Sequence, residues 1–249
     1  MMQLTDKIAI VTGAGNGFGA GIAQAYAAEG ARVVLADLNL KNAQAVAEDL
    51  GAGTSTFQCD VAEGLQVSAL VEHCVSTFGV PDIVVNNAGT THPNGSLLEV
   101  SEATFDRIFA VNVKSIFHMA RAVIPLMRQR KYGVILNIAS TAGMRPRPGL
   151  VWYSGTKGAV NTISKGMALE LAEDNIRVNA ISPVMGETGL IADFMGQDTP
   201  ENRAKFKASI PLGRFSQPRD IANAAIFLAS DAADLITGID FPVDGGRTA

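Results

Sequence analysis

Short apolar runs, punctuated by Gly, Asn and Asp, alternate along this chain with longer segments whose apolar positions recur at helical spacing. The runs predict strands at Ile8–Val11, Arg32–Ala36, Thr54–Gln58, Asp82–Asn86, Gly133–Ile138, Arg177–Ile181 and Gly238–Pro242. Between them, Gly19–Glu29, Lys41–Leu50, Leu65–Phe78, Phe105–Gln129, Tyr153–Glu173 and Pro218–Ala229 have the period and length of helices. Ile83-Val84-Val85 and Val134-Ile135-Leu136 are apolar at every position, which suits strands buried on both faces of a parallel sheet. Such alternation, joined by right-handed crossovers, predicts an α/β fold. It is a doubly wound, parallel, seven-stranded sheet with helices on both faces, forming a single domain over residues 1–249.

The segment Pro183–Leu212 breaks the alternation, with only weak helical periodicity around Leu190–Met195 and Glu201–Ser209. A long excursion inside a compact domain is usually functional. This one would leave from the carboxyl end of a strand, where such sheets bind ligands, so it is predicted to border a substrate.

Composition narrows the functional classes. The 249 residues are 47% hydrophobic and only 18% charged, so much apolar surface must be covered by a two-faced sheet or by other subunits. A net charge of −4 supplies no basic field for nucleic acid. Cys59 and Cys74 lack metal-ligand spacing, and no apolar signal segment opens the chain, which favours a reducing cytoplasm. The uncharged stretch Ile8–Ala28 is long enough for a membrane span. Its five glycines, with Thr12, Asn16 and Gln24, instead favour strand, loop and helix.

Candidate chemistry starts after the first strand, at Gly13-Ala14-Gly15-Asn16-Gly17-Phe18-Gly19. Glycines there permit a tight turn and bring backbone N–H groups to a pyrophosphate beside a helix N-terminus. A turn that merely packs helix on strand would look similar. Eighteen residues beyond Gly19, Asp37 ends the second strand, close to the spacing of the acid that binds an adenosine ribose. A carboxylate accepts from ribose hydroxyls and repels a 2′-phosphate. Since Asn16, Leu38 and Asn39 offer that phosphate no cation, NAD(H) is expected over NADP(H). Asp60-Val61 would meet the adenine edge or cap the next helix, and Asn86-Asn87-Ala88-Gly89 would border the cofactor or form a plain turn.

A second cluster lies further on. Ser140 ends the fifth strand, while Tyr153 and Lys157 stand four apart on one face of the following helix. A free phenol, with pKa about 10, is a poor base at neutral pH. A neighbouring ammonium and an oxidised nicotinamide are both expected to favour its anion.

Together these residues resemble the short-chain dehydrogenase/reductase family in its compact form, over essentially the whole chain. The likeness rests on the TGAGNGFG loop, Asp37, Asp60-Val61, the NNAG run, Asn112, Ser140, the Tyr153/Lys157 spacing and the near-terminal Val243-Asp244-Gly245-Gly246. It implies a Rossmann fold and a carbonyl reductase or alcohol dehydrogenase acting on a ketone or secondary alcohol. Four catalytic positions are implied. Tyr153 would be the acid/base and Ser140 would hold the substrate oxygen. Lys157 would bind the nicotinamide ribose and lower the Tyr153 pKa, and Asn112 would anchor a water leading from Lys157 to solvent. Pro183, Val184 and Thr188 would complete the cofactor site, although Val184 stands where the family often has Gly and Phe18 where it usually has Ile. The implied chemistry needs neither metal nor covalent intermediate.

Substrate walls are expected from Thr141, Leu150, Val151, Trp152, His92 and the stretch Met185–Met195. Arg145 and Arg147 would face an anionic substrate or form a solvated basic loop. Reduction of a 3-oxoacyl thioester, oxidation of a sugar or polyol, and a non-catalytic dinucleotide-binding scaffold are the competing functions. Relatives of this kind are commonly homotetramers paired through helices around Asn112–Gln129 and Tyr153–Glu173.

Overall fold

The computed structural model describes residues 2–189 and 191–249. Seven strands form one parallel sheet: β1 (Ile8–Thr12), β2 (Arg32–Asp37), β3 (Thr54–Gln58), β4 (Ile83–Asn86), β5 (Gly133–Ile138), β6 (Ile176–Pro183) and β7 (Asp240–Val243). Their order is β3-β2-β1-β4-β5-β6-β7. The helices are α1 (Gly17–Ala28), α2 (Leu40–Glu48), α3 (Gly64–Thr77), α4 (Glu102–Phe109), α5 (Ser115–Arg130), α6 (Thr141–Met144), α7 (Val151–Leu171), α8 (Ile191–Met195), α9 (Pro200–Ala208) and α10 (Pro218–Ala229). The predicted alternation is therefore present, and this is the Rossmann-like arrangement.

Successive side chains of a strand point to opposite faces, so each buried strand feeds two cores. Ala9, Val11, Val33, Leu35, Val85 and Leu136 pack with Ile22 and Tyr26 of α1 and Ile221 and Ala225 of α10. Their neighbours Ile8, Ile10, Val34, Val84 and Ile135 pack on the other face with Leu70 and Val71 of α3 and Met119 and Val123 of α5. This double burial explains the uninterrupted apolar runs and much of the low charge content. No helix among the described residues is long and apolar enough to cross a membrane.

Most bounds shift by one or two residues, and three larger departures from the sequence reading bear on the site. The predicted helix Phe105–Gln129 is divided into α4 and α5 by a π-helical turn, Ala110–Lys114, whose Asn112 is anchored to neighbouring elements. A π turn interrupts the regular helix with an i→i+5 bond, a change that apolar period does not report. The short α6 was not predicted. Its start is capped by the Ser140 hydroxyl, which accepts from the Ala142 N–H at 3.1 Å. Finally, β6 runs on through Pro183, which pairs with Val243 of β7. Proline is tolerated at such a strand end. The weak helical signals of the excursion become α8 and α9, with Leu190 outside the described residues.

Candidate active site

The order in which strands are laid down reverses between β1 and β4: β2 and β3 lie to one side of β1, and β5 to β7 lie beyond β4. Ligands bind at such a switch point, beyond the carboxyl ends of the strands. A cavity of about 510 Å³ occurs there. Gly13, Asn16, Gly17 and Phe18 line its centre, with Asp37, Leu38, Asp60 and Val61 towards the β2–β3 side. Ser140, Tyr153 and Lys157 line its β5 side. Asp37 and Ser140 follow strands separated by two others, so about 14 Å of sheet lies between them at about 4.8 Å per strand. That span suits a dinucleotide.

Contacts within the glycine loop explain its composition. Gly13 has φ +63°, and a Cβ there would lie 2.9 Å from both Ala88 Cα and Asn87 Nδ2. Gly19 does not line the cavity, but a Cβ on it would collide with Asn87 Nδ2 and Gly13 O. Asn87 itself ties the loop down, donating to Thr12 O at 2.8 Å and Gly13 O at 3.1 Å. The Asp37 carboxylate accepts from the N–H groups of Gly15 at 2.8 Å and Asn39 at 2.9 Å. Asn16 begins α1 without a side-chain cap, so the first-turn amides keep their capacity for an anion. Asp60 has taken its local role as well, accepting from Ala62 N–H at 3.0 Å before α3.

On the β5 side, Lys157 is 5% exposed and its ammonium donates to Ile138 O at 2.8 Å. Gly143 of α6 fits against the α7 backbone, where a Cβ would approach Lys157 C to 2.6 Å. Tyr153 is 7% exposed, with its ring 5.1 Å from that of Phe194. In the chain without nucleotide, burial pushes Tyr153 up to about 12, opposed by Ser140. Burial also pushes Lys157 down to about 8. The ammonium is turned toward Ile138 and lies 5.9 Å from the Tyr153 ring centre, so desolvation dominates both groups.

Asn112 lies outside the cavity lining. Its amide donates to Thr90 O at 2.9 Å and to Thr156 Oγ1 at 3.0 Å, while its oxygen accepts from Thr90 N–H at 2.8 Å. Both amide hydrogens are thus committed to protein, and the side chain staples the loop after Gly89 to α7. A Cβ on Gly89 would lie 3.4 Å from the Asn112 oxygen and 3.5 Å from Lys157 Nζ. Ala88 and Gly89 do line the cavity.

Pro183, Val184, Met185 and Thr188 reach the cavity from β6. Val184 packs with Ile191, Met195, Ile210 and Phe215, which gives the excursion its own small core. Thr188 abuts Gly17, and Phe18 lies under Gly186, where a Cβ would collide with its ring. Thr141 and Leu150 line the substrate end as expected. His92, Val151 and Trp152 do not. His92 is buried with Nδ1 on Pro93 O at 2.9 Å, and Trp152 donates to Leu97 O at 3.1 Å. Val151 faces outward at 40% exposure.

Arg145 also misses the cavity and donates to Arg247 O at 2.9 Å, whereas Arg147 lines it. Burial and the neighbouring Arg247 hold Arg147 down to about 10. Gly186 and Phe194 line it from the expected stretch Met185–Met195, whereas Phe206 and Arg247, which join through the rest of the excursion and the C-terminal tail, were not among the expected walls. None of them carries a motif of its own.

Comparison with known proteins fits this geometry. Residues 13–248 match the family described as enoyl-(acyl carrier protein) reductase. A 4-formylbenzenesulfonate dehydrogenase of Comamonas testosteroni is 48% identical over 99% of each chain. A 7alpha-hydroxysteroid dehydrogenase of Escherichia coli is 38% identical, over 98% of this chain and 95% of the relative. The crystal structure of a 3-ketoacyl-(acyl-carrier-protein) reductase from Brucella melitensis complexed with NADH superposes with TM-score 0.95 at 44% identity, covering 99% of this chain and all of that one. With its parallel sheet, glycine-loop cavity and Tyr153/Lys157 pair, the chain belongs to the short-chain dehydrogenase/reductase family of oxidoreductases.

Proposed function

We propose that the chain is an NAD(H)-dependent oxidoreductase that interconverts a secondary alcohol and a ketone, with Tyr153 moving the proton. The observation that carries this reading is that Ser140, Tyr153 and Lys157 share one cavity with the glycine loop and Asp37, at its β5 side. The donor set fits a dinucleotide: uncapped amides at the start of α1 for its phosphates, the Asp37 carboxylate for its adenosine ribose, and Lys157 for its second ribose. When bound, the nicotinamide supplies or accepts the hydride.

The chain's own residues handle the oxygen. A buried phenol that stays neutral at pH 7 is suited to give its proton to a carbonyl oxygen. Ser140 holds the same oxygen in place. Running in reverse, Tyr153 must first lose its proton, which burial alone opposes, so Lys157 and the positive charge of an oxidised nicotinamide must together offset the desolvation. Asn112 is a positioning residue, acting through Thr90 and Thr156. The excursion at 183–212 and the sheet work as one domain, with Met185 and Phe194 forming a substrate wall.

Asp37 supports NAD(H) over NADP(H), since its charge opposes a 2′-phosphate. Free, buried Cys59 and Cys74 suit a reducing cytoplasm. Phe117 on α5 and Leu169 on α7 are 55% and 82% exposed, which supports a homotetramer paired through those helices. Reduction of a 3-oxoacyl thioester is the second reading, favoured by the likeness to the ketoacyl reductase.

The test is Tyr153→Phe, assayed over ketones, polyols and acyl thioesters with NADH or NAD. Hydride transfer should fall at least a hundredfold, on the order of a general acid's contribution, while NADH still binds. Wild-type protein that binds NADH but turns over no carbonyl or carbinol would instead identify a scaffold.

A further inference from the structure

The two sides of the cavity differ in charge. Asp37 and Asp60 follow β2 and β3, while Arg147 and Arg247 enter from the β5–β7 side, on the loop after α6 and on the tail after β7. Among the described residues, no carboxylate forms a salt bridge with either arginine. The acid nearest in sequence, Asp244, is occupied by the N–H groups of Gly246 at 2.9 Å and Thr248 at 2.8 Å and by the Thr248 hydroxyl at 2.6 Å.

Both guanidiniums are nevertheless braced. Arg147 lies over the Phe206 ring, 4.0 Å from its centre. Arg247 donates to Ser209 O at 3.1 Å, and its own carbonyl accepts from Arg145 at 2.9 Å. Asp244 offsets the Arg247 charge only in part, since Arg145 and Arg147 lie near it as well; like charges held together without a direct ion pair repel, and an anion placed between them would relieve that repulsion. Arginine presents a planar fork of donors that matches carboxylate and sulfonate oxygens. Leu150, Phe194 and Phe206 add apolar surface to the same lining, beside Ser209.

We propose that Arg147 and Arg247 form an anion subsite at the substrate end of the cavity, so that the enzyme takes a carbonyl or carbinol compound carrying a carboxylate or sulfonate on an apolar, ring-sized body. The substrate class rests on the Tyr153 reading above; anion binding by the two arginines does not.

Two assays separate them. The first measures kcat/KM with NADH for 4-acetylbenzoate and 4-acetylbenzenesulfonate against methyl 4-acetylbenzoate and 4-acetylbenzenesulfonamide. Wild-type enzyme should favour the anions, and the anion-to-neutral ratio should fall about tenfold or more in Arg147→Gln and in Arg247→Gln, the scale of a charge-assisted hydrogen bond. Arg147→Lys, which keeps the charge, should recover part of the ratio. The second assay titrates benzenesulfonate and benzoate, which carry no ketone, calorimetrically into each protein. Their affinity should fall in both Gln variants, and the stronger binder of the two identifies the preferred anion. A ratio unmoved by both substitutions overturns the proposal. If no ketone is turned over at all, the Tyr153 reading fails and the calorimetry decides the subsite alone: binding that is absent or independent of both arginines overturns it.

Discussion

Replacing Lys157 with methionine removes a buried ammonium while keeping a flexible side chain, and its effect on stability should depend on pH in a calculable way. Burial lowers Lys157 from 10.5 to about 8. At about 1.4 kcal/mol per pKa unit, holding the charge in the folded chain therefore costs about 3 kcal/mol. The folded pKa lies below the unfolded one, so between pH 8 and 10.5 the unfolded chain binds more protons and stability rises with pH. Integrated from pH 7 to 9, Lys157 contributes about 1.4 kcal/mol of added stability, which the Lys157→Met variant cannot supply. The orphaned Ile138 carbonyl costs the variant about 1–3 kcal/mol, independently of pH. Cys59 and Cys74, pushed up by burial to about 11 and 12, titrate in both proteins and cancel in the difference. Thermal unfolding of both proteins without nucleotide, at pH 7, 8 and 9, is the assay. The Tm of wild type relative to the variant should rise by about 3–5 °C over this range. A difference constant to within about 1 °C would refute a strongly desolvated ammonium.

Asp37→Ala should weaken NADH binding about 30- to 100-fold, because one or two charge-assisted hydrogen bonds are lost, and should raise the NADPH-to-NADH ratio of kcat/KM. An unchanged ratio would show that the carboxylate only braces the glycine loop. Light scattering of wild type should report four chains of 26.1 kDa each. Leu169→Arg should give smaller species, and a wild-type monomer at micromolar concentration would exclude the tetramer.

The sequence determined most of the scaffold and the two ends of the catalytic apparatus. Local signals suffice where a residue's role is set by its own element: double burial makes β4 and β5 apolar throughout, and four-residue spacing puts Tyr153 and Lys157 on one face of α7. Asp37 is legible because a strand end and a fixed spacing place it beside the glycine loop.

Only the tertiary structure decided the rest. Without nucleotide, Tyr153 and Lys157 are governed by desolvation, a property of everything packed around them that their four-residue spacing does not report. Asn112 spends its amide on Thr90 and Thr156, partners 22 and 44 residues away. Arg147 looked like half of a pair with Arg145, yet it lines the cavity with Arg247, brought in by the tail after the last strand. Electrostatics and close packing act through space, and the chain reveals them only once distant segments share a wall.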